Sequence, residues 1–174
     1  MNKIHIGIDP GKNGFITLMT NKNIQFFSIP KIGNEVDIHK LNNIFSSIRI
    51  EDEGKSIHCV IEDVHAIFGS SAKSTFEFGR VNGLIESILV CNGIPYTKVQ
   101  PKIWQKEMFS GIALQKKPSS TGKTMKNDTK LMALMAAKRL FPDMDFTATE
   151  RSKNPHDGKV DSLLLCEYSR RKFD

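Results

Sequence analysis

The strongest constraint on the fold is the pattern of residues 4–9. Ile4, Ile6 and Ile8 alternate with His5, Gly7 and Asp9, the period of two of a β-strand. Such a segment buries its apolar side, and this one ends on a carboxylate followed by Pro10-Gly11, which turns the chain. Phe15, Ile16 and Leu18 predict a second strand, residues 21–23 a turn, and residues 24–29 a third strand. Connections this short favour two adjacent hairpins. Residues 30–35 read as loop. Val36, Leu41, Ile44, Phe45 and Ile48 mark one face of a helix, which the Glu-Asp-Glu-Gly run at 51–54 ends. Residues 57–62 form a fourth strand that closes on Glu62.

Beyond residue 70 the pattern changes to helices. Ser71 or Ser74 caps a long helix to about Cys91, closed by Asn92-Gly93. A short strand follows at 96–99. Residues 110–127 carry Gly, Pro, Ser and Lys without an apolar period and read as a flexible basic loop. Asn127 or Asp128 caps a helix to Leu140, and a last helix runs from about Asp157 to Arg171. Hairpin strands followed by strands alternating with helices predict an α/β fold, a mixed sheet covered by helices. The 174 residues suffice for one domain over 1–174 with a substantial core. No apolar run is long enough to span a membrane, and no signal-peptide order appears at the N-terminus. Three scattered cysteines suit neither a disulfide framework nor a zinc cluster, so a reduced, intracellular (cytoplasmic) protein is expected.

Charge is unevenly distributed. The net +6 arises between residues 98 and 139, which hold ten basic and two acidic side chains. The flanks on either side are close to neutral. A local basic block suits a phosphate-binding surface, although a solvated basic face has the same composition.

The acids carry the chemical argument. Asp9 and Glu62 each end an apolar strand, where packing demands no carboxylate. Asp before Pro-Gly is also good turn chemistry; Glu is not. Asp157 and Asp161 lie one turn apart on one face of the last helix. There they complement the helix N-terminus, or a hard divalent cation relieves their repulsion. No Cys/His set has zinc spacing, no nucleophile-elbow pattern occurs, and the Gly11–Gly14 segment is too short for a P-loop. Clustered acids beside a basic surface suggest metal-assisted attack of water on a phosphodiester.

Three segments together carry a family resemblance: Ile-Gly-Ile-Asp-Pro-Gly-Lys-Asn-Gly at 6–14, Ile-Glu-Asp-Val at 61–64, and His-Asp-Gly-Lys-Val-Asp-Ser at 156–162. In order and spacing they resemble the RuvC-like Holliday junction resolvases of the RNase H-like superfamily, above all the phage-type branch. The resemblance implies a five-stranded mixed sheet with its first three strands antiparallel and helices on both faces. It also implies a homodimer that nicks four-way junctions, or other branched DNA, and a virus-encoded origin. It makes Asp9, Glu62, Asp157 and Asp161 the catalytic acids, with Asp63 and Glu167 as lesser alternates. These acids would hold two Mg²⁺ ions (Mn²⁺ being an alternative) about 4 Å apart, and the nick would leave a 5′-phosphate. The family often spaces its last two acids three apart, whereas here they are four apart.

His65 and Phe68 follow Glu62 and offer rings to an unpaired base, or Phe68 simply anchors its loop. Lys73, Lys98, Lys102, Lys106, Lys116, Lys117, Lys123 and Lys126 are candidate phosphate contacts. Trp104 with Phe109 reads as core or loop anchor ahead of a base platform, and Met132 and Met135 read as core. Gly79 and Gly83 share one helix face, suited to close packing within the chain or against a second copy. Two other functions fit parts of the pattern. A Gly-Ile-Asp-x-Gly strand end also opens sugar kinases and actin-like ATPases, which are far longer. A basic nucleic-acid-binding module with structural acids is the non-enzymatic reading.

Overall fold

The structure, a computed structural model, describes residues 3–21, 23–50, 56–63, 71–119 and 121–173. In chain order the elements are β1 (Lys3–Asp9), β2 (Phe15–Met19), β3 (Ile24–Ser28), β4 (Lys31–Ile32), β5 (Glu35–Val36), α1 (Ile38–Ile50), β6 (Ser56–Glu62) and α2 (Ala72–Cys91). Then come β7 (Tyr96–Val99), α3 (Pro101–Met108), β8 (Lys116–Pro118), β9 (Met125–Asn127), α4 (Thr129–Leu140) and α5 (Asp157–Phe173). The main sheet has the order β3-β2-β1-β6-β7. β1, β2 and β3 pair antiparallel, while β6 joins β1 and β7 in parallel. This is the mixed five-stranded sheet that the alternation and the resemblance predicted.

The sheet's two faces differ in character. Ile4, Ile6, Ile8, Ile16, Leu18, Ile57 and Ile61 form one apolar layer with Leu41 and Phe45 of α1 and Val81, Ile85 and Leu89 of α2. Fully burying such a side chain contributes about 2 kcal/mol, so this layer anchors the sheet. The other face, towards α3, α4 and α5, packs around Val60, Val99, Trp104, Met108, Ala136, Leu163 and Leu164. It also buries polar groups that pair with one another. Thr17 Oγ1 lies 2.8 Å from Ser162 Oγ, and His5 Nδ1 lies 3.3 Å from Ser169 Oγ. Cys166 Sγ donates to the His5 carbonyl at 3.1 Å. Gly7 lets α5 approach this closely, because a Cβ there would collide with Ser162 O and Cys166 N.

Caps fix the helix starts. Ser71 Oγ accepts from Ser74 N-H at 3.1 Å, and Asp128 Oδ1 from Leu131 N-H at 3.2 Å. Three segments differ from the sequence reading. Within the stretch 30–35 read as loop, and extending to Val36, the chain forms the small β4-β5 hairpin around Gly33 at φ 58°, so Val36 lies in β5 and not in the first helix. Residues 101–108, left unassigned, form α3, which starts at Pro101 and buries Trp104 and Met108 one turn apart. The supposed flexible loop at 110–127 contains the β8-β9 hairpin, closed by Ser119 N-H to Thr124 O at 2.7 Å. Its strands are exposed, so no apolar alternation marked them.

Candidate functional site

The C-terminal ends of the adjacent parallel strands β1 and β6 carry Asp9 and Glu62. After Asp9 the chain turns through Pro10 to Gly14, with Gly14 N-H bonded to Gly11 O at 3.1 Å. α5 enters over this turn. A Cβ at Gly158, in its first turn, would stand 2.5 Å from Asp9 Oδ2, so the glycine lets α5 lie close to Asp9. Asp157 and Asp161 therefore face the strand ends, and each of the four predicted acids stands in the field of others.

The electrostatics follow from this crowding. Burial, then Glu62, then Asp157 push the Asp9 carboxyl up to about 7, against the opposing Lys130 ammonium. Asp161 is raised well above the usual carboxylate range, by burial first and then by Asp9, Glu62 and Asp157. Burial also raises Glu62, but Trp104 Nε1 donates to Glu62 Oε1 at 3.0 Å and favours its ionised form. Asp157 is half-exposed and forms an ion pair with Lys130 of α4. Trp104 is fully buried, edge-on to Phe109 at 6.0 Å. Beside the acids, His156 packs its ring against Phe15 at 4.8 Å, and its buried Nδ1 has no hydrogen-bond partner among the described residues. Trp104 and Lys130 were not singled out for this role in the sequence, and Gly158 only as part of the 156–162 segment. Their contribution is purely tertiary.

The lesser acids lie elsewhere. Asp63 is 3.6 Å from Lys98. Burial pushes Glu167 up, but Arg170 and Arg171 at 2.7–2.8 Å hold it below its ordinary value. His65 and Phe68 fall outside the described residues.

The candidate lysines separate into groups. Lys116, Lys123 and Lys126 are exposed on or beside the β8-β9 hairpin. Lys117 in the same hairpin bonds Asp128 at 2.7 Å, tying it to the start of α4. Lys102 and Lys106 are exposed on α3, and Lys73 at the start of α2. Lys98 is engaged by Glu86 Oε1 at 2.9 Å and by Asp63. A cavity of about 290 Å³ connects the hairpin to the acids, with Lys117, Lys130, Leu134, Asp157 and Asp161 among its walls.

The donor set suits a hard divalent cation: it is all carboxylate oxygen, partly buried, and mutually repelling. Among the described residues no three His, Cys, Asp or Glu side chains already stand in a metal-binding arrangement.

No protein-family model matches the chain, and no curated protein matches it. Solved structures do. RuvC of T. thermophilus in complex with a Holliday junction substrate aligns with 99% of this chain and 96% of its own, at 10% identity and TM-score 0.54. A second structure of Thermus thermophilus RuvC covers 98% of this chain and 96% of its own, at 13% identity and TM-score 0.53. Across nearly its whole length, then, the chain has the RuvC-like form of the RNase H-like fold.

Proposed function

We propose that the chain is a metal-dependent, structure-specific endodeoxyribonuclease that nicks Holliday junctions or related branched DNA and leaves 5′-phosphate ends. The observation that carries this reading is the meeting of Asp9, Glu62 and Asp161, from three remote parts of the sequence, in one shared field at the end of the sheet. Buried carboxylates that raise one another's proton affinity are poor structural elements and good cation ligands. The basic hairpin and α3 lie on the same side of the sheet as α5 and suit a phosphate backbone.

Asp9, Glu62, Asp157 and Asp161 would hold Mg²⁺ or Mn²⁺. Bound there, the ion supplies Lewis acidity towards water and phosphate oxygens. The chain's own groups prepare the site. Trp104 holds Glu62 in one orientation and favours its ionised form. Gly158 allows α5 to bring Asp157 and Asp161 against Asp9. The exposed lysines grip phosphates on either side of the cut. The protein acts as one nuclease domain inside the cell, on intracellular DNA, and as a homodimer whose two sites serve opposed strands.

Incubation with a labelled four-way junction and a matched linear duplex, with and without Mg²⁺, tests the reading. Symmetric nicks in the junction alone, only with Mg²⁺, are expected. Asp9→Asn should abolish nicking while junction binding persists. Wild-type nicking by Asp9→Asn, or equal cleavage of the linear duplex, would overturn the assignment.

A further inference from the structure

Among the described residues, Lys130 is the cation that pairs directly with one of the four predicted metal ligands, Asp157. As a structural tie the Lys130–Asp157 pair is weakly motivated. Its side chains are 64% and 51% exposed, and such pairs contribute little to stability. α4 and α5 are already joined by buried Ala133, Ala136, Ala137 and Leu164. Lys130 also sits in the first turn of α4, where the helix dipole disfavours a cation. What holds it there is negative charge: Asp157 first, then Asp161 and Asp128. Asp128 is already committed to Lys117 and to capping α4. The lysine's flexible stem lines the cavity of about 290 Å³ that leads from the hairpin to Asp161, so it has room to turn without moving the helix.

We propose that Lys130 is an exchangeable counter-ion of the active site, pairing with Asp157 in the metal-free protein and transferring to a DNA phosphate when a divalent cation takes Asp157. This rests on the metal-nuclease reading and adds to it an order of events: the cation's arrival frees a positive charge for the substrate. The device couples metal loading to DNA grip. Without metal the acids repel DNA and Lys130 is occupied; with metal both effects reverse.

Mn²⁺ titration by calorimetry and junction binding by fluorescence anisotropy test the exchange, using wild type, Lys130→Met and, as a surface control on the same helix, Lys138→Met. Lys130→Met should bind Mn²⁺ several-fold more tightly than wild type, with Lys138→Met unchanged. In Ca²⁺, Lys130→Met should lower the slope of log affinity against log salt by about 0.9, the value for one phosphate contact. In EDTA its slope should equal that of wild type. Equal or weaker Mn²⁺ binding by Lys130→Met overturns the exchange and leaves the nuclease reading standing. So does a slope change that is the same in EDTA and Ca²⁺. Failure of the wild-type protein to bind Mn²⁺ overturns both.

Discussion

At the scale of single residues, the site stores unfavourable charge. Burial beside Glu62 and Asp157 lifts Asp9 to about 7, and Asp161 and Glu62 are displaced in the same direction. In the unfolded chain these groups titrate near 4. Between those values the folded protein holds more protons, so the stability they contribute is complete below the unfolded value and lost as pH rises through about 7. Metal-free protein should therefore melt several degrees lower at about pH 8 than at about pH 5. Excess Mg²⁺ should restore most of the difference, and Asp9→Asn should flatten it. A melting temperature that rises over this range in EDTA would contradict the burial of these acids. Cleavage should rise over the same interval, because a protonated Asp9 is no cation ligand. Trp104 offers a second test. Trp104→Phe keeps a ring in the core but removes the donor to Glu62, so stability should fall by about 1–2 kcal/mol in urea titration. The pH at which cleavage reaches half its maximum should move upwards, since Glu62 loses the bond that favours its ionised form.

At the scale of elements, the β8-β9 hairpin is the piece whose role depends on charge rather than packing. Its strands have no buried face, and Lys117 and Lys126 stand opposite each other across the ladder. That repulsion is offset because Lys117 is drawn to Asp128. Replacing Lys116, Lys123 and Lys126 together by Ala should lower the salt dependence of junction binding by about 0.9 for each lost phosphate contact. The urea midpoint should not move; a shift would mean that the hairpin supports the fold. Legibility in the sequence follows the same division. β1, β6, α2, α4 and α5 were readable because one buried side imposes a period and the caps are local. α3 was not, since eight residues with one polar-rich turn give no sustained period. The hairpin was not, since nothing in it is buried. Asp9 and Glu62 stood out as acids ending apolar strands. Lys130 did not, because a lysine opening a helix acquires meaning only from the carboxylates that fold against it.

At the scale of the whole molecule, the outer face of α2 is a surface that packing among the described residues leaves open. Phe76 and Val90 are 70% and 65% exposed, and nothing lies within 4 Å of a side chain built at Gly79 or Gly83. This face suits the self-complementary contact that a two-fold homodimer requires. Phe76→Asp should convert a sedimenting dimer into a monomer that still nicks a junction but no longer pairs its cuts on opposed strands. An unchanged sedimentation coefficient would remove α2 from the interface. On the opposite side of the sheet, α5 lies in the notch left by Gly7, and Lys3 of β1 bonds the carbonyl of Phe173 at 3.1 Å. The first strand is thus completed by the last helix. Contacts so distant in sequence form slowly, and a chain still being synthesised lacks them altogether. Until α5 clears the ribosome, Asp9 waits beside Glu62 without Asp157 and Asp161. If the four acids act together as proposed, an unfinished or prematurely terminated chain would carry the basic hairpin without Asp157 and Asp161 and would not cut.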